Sequence, residues 1–376
     1  MDKRHPKLVF LLPSLAGGGA ERVASILLPY LNLHFDVTLV LLEDKRTYPL
    51  PTKIRVHVFS GPLGSQRAHL GRIPFHFACL IRLVHCSQVD IVLSFMEQAN
   101  ILNLLAAFFT GHKAVISQRV APCQQYANKG ILGKIIMMVS RWLYPRADYI
   151  ITVSAGIRKI LLEKYNLKPK LVTVIPNPIN RVAFDEQTKE CLDFPMPDNF
   201  ILHVGRMSII HKAQDVLLDA FSIFHQCHPD YKLILVGDGP DWKWVENRVR
   251  SLGIDNCVQM VGWQANVAAF MARAQTLILS SRYEGWPNVL LEAMSLGCPV
   301  ISTDCPTGPK EILLDNEFGL LVPIDDPEAL ANALEKLLFD GVQRLYYQKQ
   351  ALRRSQDFSL ERIGSQYVNL LNRIEI

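Results

Sequence analysis

Short runs of β-branched and aliphatic residues alternate with longer stretches whose apolar positions recur at helical spacing, and this alternation continues along the whole chain. Strands separated by helices argue for parallel sheets covered by helices. In the first half the strand candidates are Leu8–Leu12, Asp36–Leu42, Ile54–Phe59, Ile91–Phe95, Ala114–Ser117 and Tyr149–Val153. The pattern restarts with Phe200–Val204, Lys232–Val236, Val258–Val261, Thr276–Ser280, Pro299–Thr303 and Gly319–Val322. Between the two sets, Pro176 to Asp198 carries Pro176, Pro178, Pro195 and Pro197 among several charges, which is the composition of a linker. After Phe358, the residues Ile363, Tyr367, Leu370 and Ile374 fall on one helical face. The pattern therefore predicts an α/β protein with two Rossmann-like domains, 1–178 and 199–357, a linker at 179–198 and a C-terminal helix within 358–376.

Composition fits that picture and charge adds to it. The chain has 376 residues, 49% hydrophobic and 20% charged, which suits two globular domains and excludes a fibrous or disordered polymer. The net charge of +5 is unevenly spread: Met1 to Ile175 holds 22 Lys/Arg against 9 Asp/Glu, or +13, and the remainder sums to −8. The two halves are expected to face different partners. No stretch approaches the roughly 20 apolar residues of a membrane-spanning helix. The start, with Lys3, Arg4 and Lys7 before Leu8–Leu12, imitates a signal peptide, but Pro13 and a triple glycine follow, so it is read as a strand entering a loop. The eight cysteines include no Cys-x-x-Cys pair, which argues for a reducing compartment and against a zinc site. Asp-x-Asp, a common way of holding a divalent cation against a nucleotide diphosphate, does not occur. Diphosphate chemistry here is left to cationic side chains and backbone dipoles.

In open α/β sheets ligands bind outside the carboxyl ends of the strands, so the loops after strands carry the candidate chemistry. Gly17-Gly18-Gly19 leads into an apolar helix and suits the close approach of an anion, although a tight turn alone would also explain the glycines. Gly205-Arg206 to His211-Lys212 sets two cations in one loop, able to hold a diphosphate or simply solvated. Gly237-Asp238-Gly239-Pro240 lacks the third glycine of the dinucleotide fingerprint and is read as a tight turn. The segment Ser281 to Ala293 places Glu284 in a Gly/Pro loop and Glu292 about one turn into the next helix. Carboxylates there can accept hydrogen bonds from sugar and ribose hydroxyls, while one of them can equally decorate a helix N-terminus. Pro306-Thr307-Gly308-Pro309-Lys310-Glu311 repeats the turn-then-helix design.

Taken together, Gly17-Gly18-Gly19-x-Glu21-Arg22, Ile175-Pro176-Asn177-Pro178, Val204-Gly205-Arg206 with Lys212, Gly237-Asp238-Gly239-Pro240, Glu284-x7-Glu292 and Gly308-Pro309-x-Glu311 resemble the retaining family 4 glycosyltransferases of GT-B fold. The resemblance runs from about Pro6 to about Tyr367. It implies two Rossmann-like domains facing across a cleft, with a nucleotide-sugar donor bound mainly by the C-terminal one. Arg206 and Lys212 would neutralise the departing diphosphate, approached also by the backbone at Gly17 and Gly18. Glu292 would bind the ribose, Glu284 the transferred sugar, and Asn288, Val289, Leu290, Gly308 and Glu311 would complete the donor pocket. No metal or other cofactor is implied. Many members carry a histidine of the N-terminal domain at the sugar; this chain has Ser117-Gln118-Arg119 there, and Arg119 is expected near the acceptor.

The resemblance assigns the acceptor to the N-terminal half, the one with +13. Gln66 to Arg82 carries Arg67, Arg72 and Arg82 among Leu70, Ile73, Phe75, Phe77, Leu80 and Ile81, and Lys129 to Arg146 sets Lys134 and Arg141 beside Ile131, Ile135, Met138 and Trp142. Such helices suit an anionic membrane surface, and they equally suit ordinary cover for a sheet. The combined expectation is transfer of a hexose or N-acetylhexosamine from a UDP-sugar to a polyprenyl-diphosphate-linked sugar, as in bacterial lipopolysaccharide, capsule or protein-glycan assembly. The enzyme would sit peripherally on the cytoplasmic face of the membrane. The alternative is a nucleotide-sugar 2-epimerase of the same fold, disfavoured by Glu284-x7-Glu292. No nucleic-acid module is recognisable.

Overall fold

A computed structural model describes residues 5–48, 53–59, 72–126, 129–190 and 195–375. The chain divides into two compact units, Met1–Pro178 with Leu360–Ile376, and Ile179–Ser359. The first holds a sheet of seven strands: β1 (Lys7–Leu12), β2 (Asp36–Leu41), β3 (Arg55–Val58), β4 (Ile91–Phe95), β5 (Lys113–Gln118), β6 (Tyr149–Thr152) and β7 (Val172–Val174). Their spatial order is β3-β2-β1-β4-β5-β6-β7, and every pairing is parallel. The second unit holds β8 (Phe200–Val204), β9 (Lys232–Val236), β10 (Val258–Gly262), β11 (Thr276–Leu279), β12 (Val300–Thr303) and β13 (Leu320–Val322). These lie in the order β10-β9-β8-β11-β12-β13, again all parallel. Both units are thus Rossmann-like.

The strands read as near-continuous apolar runs because helices bury both faces of a parallel sheet. Phe10, Leu11, Val92, Leu93 and Val115 are buried in the first unit, and Ile201, Leu233, Leu235, Ile278 and Ile301 in the second. The order reverses between β1 and β4 in one sheet and between β8 and β11 in the other. At such switch points the loops leaving neighbouring strands diverge to opposite faces and open a crevice.

The structure adds to the sequence reading in three places. β7 is an extra edge strand of three residues, paired with β6 from Ile150↔Val172 to Thr152↔Val174. The segment expected as a linker carries a helix, Arg181–Gln187, which belongs to the second unit; Asn180 caps it by accepting from the Ala183 amide at 3.3 Å, and Phe184 is its buried anchor. The C-terminal helix, Leu360–Asn372, returns to the first unit and packs on the helix Gly19–Leu31. A Cβ at Gly364 would fall 2.6 Å from the Tyr30 ring, so only glycine admits that approach. Arg67 and Leu70 lie outside the described residues.

Candidate functional site

The second unit brings Arg206, Lys212 and Glu284 to the switch point. β8 ends at Val204, and the loop that follows contains a single helical turn, Ile209–Lys212, where an irregular loop was expected. β11 ends at Leu279 and leads through Ser281 and Glu284 to the helix Asn288–Ser295. Because β8 and β11 are hydrogen-bonded neighbours, Lys212 meets Glu284 across 72 residues of sequence: Lys212 Nζ donates to Glu284 Oε1 at 2.5 Å. Ser281 Oγ donates to the same oxygen at 2.7 Å, and His211 Nε2 stands 3.9 Å from it. Oε2 has no protein donor among the described residues. Burial pushes against ionisation of Glu284, but the charges of Lys212 and His211 and the hydrogen bonds from Lys212 and Ser281 outweigh it and hold the carboxyl below its ordinary value. Burial and the neighbouring Lys212 charge lower the pKa of His211. Arg206 is exposed and has no carboxylate partner among the described residues.

Three loops are stitched around this pair. Arg282 donates two hydrogen bonds to Asp215, at 2.7 and 3.2 Å, one to Asp325 at 2.7 Å and one to the Ile209 carbonyl at 2.5 Å. Its own amide reaches the His211 carbonyl at 2.9 Å, and Ser280 Oγ donates to the Lys212 carbonyl at 2.7 Å. Thr307 Oγ1 donates to the Glu284 carbonyl. Gly308 follows at φ +94°, where an added Cβ would lie 2.7 Å from Pro287. The Gly237-Asp238-Gly239 turn packs directly on the Arg206 loop: Met207 N donates to the Asp238 carbonyl at 3.0 Å, and a Cβ at Gly237 would sit 2.0 Å from the Gly205 oxygen. Glycine is required there by backbone contact and by a φ of +130°.

Glu292 is buried in the second turn of the helix Asn288–Ser295, whose first residues Asn288 and Val289 are partly buried. The Leu290 amide is taken by the Pro287 carbonyl at 3.1 Å, so it offers no donor to a ligand in this arrangement. Glu311 lies on the short helix Pro309–Leu313.

In the first unit the Gly17–Gly19 loop follows β1, and Gly17 has φ +105°. Glu21 holds this loop as the acidic half of a capping box: Oε1 accepts from Ser14 Oγ at 2.6 Å and from Ala16 N at 3.2 Å, and Oε2 accepts from Gly18 N. The Gly18 amide, expected to face a diphosphate, is therefore engaged by Glu21. Arg119, expected at the acceptor, is buried within the unit. Its guanidinium donates to Asn177 Oδ1, to Ser117 Oγ at 3.3 Å and to the Tyr367 hydroxyl at 3.4 Å, and lies 4.4 Å over the Phe95 ring. Sequence reading also missed Glu97, buried just after β4, which contacts Ser140, Tyr144 and Gln118.

The helix Gly130–Leu143 buries only Gly133, Ser140 and Leu143 and exposes Ile131, Leu132, Ile135, Met138 and Trp142 with Lys134 and Arg141. Phe108 stacks on Trp142 with centroids 6.0 Å apart, and Arg146 lies 4.0 Å over the Trp142 ring. By contrast the helix Ile73–Ser87 turns Leu80, Phe77 and Ile81 toward the core and leaves Ile73 and Phe75 exposed. No helix among the described residues is long and apolar enough to cross a membrane, and none of their His, Cys, Asp and Glu side chains gather into a metal-binding group.

Solved structures share this architecture. The structure of Anabaena HepE in complex with UDP and glucose superposes with a TM-score of 0.82 at 22% identity, covering 98% of this chain and 100% of that one. WaaG, a glycosyltransferase of lipopolysaccharide biosynthesis, gives 0.75 at 17% identity, covering 98% and 100%. The fold is GT-B. In sequence, the model described as Glycosyltransferase Family 4 matches residues 17–182 and that described as Glycosyl transferases group 1 matches 198–340. A Campylobacter jejuni protein, the N-acetylgalactosamine-N,N'-diacetylbacillosaminyl-diphospho-undecaprenol 4-alpha-N-acetylgalactosaminyltransferase, is 30% identical over 95% of this chain and 97% of its own. A second from the same organism, which adds alpha-1,4-N-acetyl-D-galactosamine to a diphospho-undecaprenol-linked glycan, is 27% identical over 98% and 99%. The chain belongs to glycosyltransferase family 4, and it is an enzyme that transfers a sugar.

Proposed function

We propose that this enzyme transfers a hexose or N-acetylhexosamine from a UDP-sugar, with retention, to a polyprenyl-diphosphate-linked sugar in bacterial surface-glycan or protein-glycan assembly. The observation that carries the donor half is the partly buried Lys212–Glu284 pair beside the exposed Arg206 at the β8/β11 switch point. In the reaction the bond from the anomeric carbon to the diphosphate oxygen breaks, its electron pair leaves with the nucleotide, positive charge develops on the sugar ring, and an acceptor hydroxyl bonds to that carbon from the same face and gives its proton to the departing diphosphate. Arg206 and Lys212 stabilise the leaving charge without a metal ion, as preorganised cations in a partly buried loop do most effectively. Glu284, held ionised, accepts from sugar hydroxyls through Oε2, and Glu292 accepts from the ribose. UDP is favoured by its presence in the HepE structures, and the undecaprenol-linked acceptor by the names of both Campylobacter relatives.

The acceptor's lipid calls for a membrane face. Of the two helices expected to supply one, Gly130–Leu143 fits, with Ile131 78%, Met138 66% and Trp142 55% exposed beside Lys134 and Arg141. The proposed location is peripheral, on the inner leaflet, through the first unit. The test is to incubate the purified chain with UDP- and GDP-sugars, with and without a polyprenyl-diphosphate sugar, and follow nucleotide release. Release that depends on the acceptor, and that Glu284→Ala abolishes, is expected. Acceptor-independent interconversion of the sugar would support the epimerase, and turnover indifferent to Glu284→Ala would sink the donor site.

A further inference from the structure

His203 is out of place in its strand. The sequence Phe-Ile-Leu-His-Val forms β8, next to the switch point, and His203 is wholly buried there. A buried polar ring without partners costs several kcal/mol, so its partners explain its presence. His203 Nδ1 lies 3.1 Å from the Ile278 carbonyl on the neighbouring strand β11. A carbonyl only accepts, so Nδ1 carries the proton and Nε2 is an acceptor. Nε2 meets Gln214 Nε2 at 3.3 Å, and Gln214 therefore donates to it. The second proton of the Gln214 amide goes to the Arg206 carbonyl at 2.9 Å, and its Oε1 accepts from the Ser208 amide at 3.2 Å. Each donor meets an acceptor and no proton is counted twice. Burial, with the Lys212 charge adding to it, drops the His203 pKa to about 4, which keeps the ring neutral near pH 7.

We infer that His203 and Gln214 form a relay that fixes the Arg206 backbone and thereby aims the Arg206 guanidinium at the departing diphosphate, making Gln214 a positioning residue for the transfer reaction. The relay ties the backbone on both sides of Met207 to β8 and β11 at once. The other end of the loop is held by further contacts: the Lys212 carbonyl accepts from Ser280, the His211 carbonyl accepts from the Arg282 amide, and the Ile209 amide donates to Asp241 at 2.8 Å. The two ends share Ser208, whose carbonyl accepts from the Lys212 amide at 2.6 Å, but the direct side-chain contacts differ: Gln214 bonds the Arg206 carbonyl and the Ser208 amide, and Ser280 bonds the Lys212 carbonyl. Its side chain is wholly buried at the start of the helix Gln214–Cys227, preceded by Ala213 at φ +49°, so its own placement is tightly determined.

This inference rests on the reading that Arg206 binds the diphosphate, and the experiment separates the two. UDP affinity is measured by calorimetry on the full chain for wild type, Gln214→Met, Arg206→Ala, Lys212→Ala and the two double variants with Gln214→Met. Gln214→Met keeps side-chain length and removes every polar partner; Gln214→Glu keeps the acceptor toward Ser208 and loses both donations, so it serves as the second variant. Each Gln214 variant is expected to weaken UDP about tenfold, with the loss in Gln214→Met largely absent when Arg206 is already alanine and intact when Lys212 is. If Arg206→Ala alone leaves UDP affinity unchanged, the donor-site reading fails. If Arg206→Ala weakens UDP but both Gln214 variants bind as wild type, or the Gln214→Met loss combines additively with Arg206→Ala, the relay fails.

Discussion

Replacing Lys212 with methionine keeps the length of the side chain and deletes the ammonium that stands 2.5 Å from Glu284 Oε1. Both side chains are largely enclosed, 14% and 8% exposed, so water does little to replace the lost partner. At an effective dielectric of about 20, charges this close attract by about 6–7 kcal/mol before the cost of desolvation. Removing one member of such a pair costs about 3–5 kcal/mol, because the other charge is left buried and unpaired. The sign of the pH dependence is the sharper test. In the wild type the Glu284 pKa lies below its ordinary value of 4.5, so its contribution is present above that pH and is lost as pH falls through the folded value. Without Lys212, burial dominates and raises the pKa, so the contribution becomes full at low pH and is lost as pH rises. The assay is thermal unfolding of the full chain at pH 5 and pH 8. The Lys212→Met transition of the second unit is expected about 6–20 °C below wild type at pH 8, with a smaller gap at pH 5. Adding Glu284→Gln should recover most of the loss at pH 8. Equal deficits at both pH values, or additive losses in the double variant, would refute the reasoning.

Glu97 offers the opposite case. The Tyr144 hydroxyl lies 2.6 Å from Glu97 Oε2 and 2.8 Å from Gln118 Oε1, one proton facing two acceptors, and a proton on Glu97 supplies the missing donor. Burial raises the Glu97 pKa despite its hydrogen bonds, so its contribution is full below the unfolded pKa and declines by at most about 1.4 kcal/mol per pH unit until the folded pKa is reached. Glu97→Gln should flatten that slope in urea denaturation across pH 4 to 8; an unchanged slope would show that Glu97 is charged in the folded protein. On the surface, Ile135→Ser with Met138→Ser and Trp142→Ser is expected to reduce partition onto anionic vesicles at least tenfold while leaving UDP binding intact. The wild type should lose about 1 kcal/mol of vesicle binding for each nearby basic residue removed. Indifference of the triple variant would remove this helix from the membrane face.

The sheets were readable because a parallel strand covered on both faces leaves an unbroken apolar run, and Phe200–Val204 and Lys232–Val236 begin and end where the sequence places them. β7 was not, since a three-residue edge strand with only Val172 buried leaves too short a signal. The helix Arg181–Gln187 was hidden by the prolines around it, although Asn180 as cap and Phe184 as a lone apolar anchor are its sequence marks. At the site, Lys212 and Glu284 stood out because each sits in a loop after a strand. Arg282, Asp215, His203 and Gln214 did not, because the Arg282–Asp215 and His203–Ile278 pairings span 67 and 75 residues and exist only once β8 and β11 are adjacent, and the His203–Gln214 bond only once the helix after β8 folds back on its strand. Exposed Phe108 and its stack on Trp142 are likewise products of tertiary placement.

At Arg119 the position along the strand and the side-chain contacts point to different roles. The residue follows β5 at the carboxyl edge of the sheet, where a ligand contact is expected, yet its Nη1 and Nη2 donate inward to Ser117, Tyr367 and Asn177. Two motifs with separate readings, the Ile175-Pro176-Asn177-Pro178 junction and the apolar face of the C-terminal helix, therefore converge on one guanidinium. No carboxylate among the described residues pairs with it; burial lowers its pKa, partly countered by the Tyr367 hydroxyl, and the Phe95 ring 4.4 Å away adds a cation–π contact. A side chain so engaged ties β5, the domain junction and the last helix into the first unit. Arg119→Lys tests this against an acceptor role, since lysine keeps the charge but cannot span three partners. The stitching role predicts a lower melting temperature for the first unit, about 2 kcal/mol of lost stability from unmet buried partners, with acceptor KM close to wild type. Retained stability with acceptor KM raised tenfold would return Arg119 to the substrate.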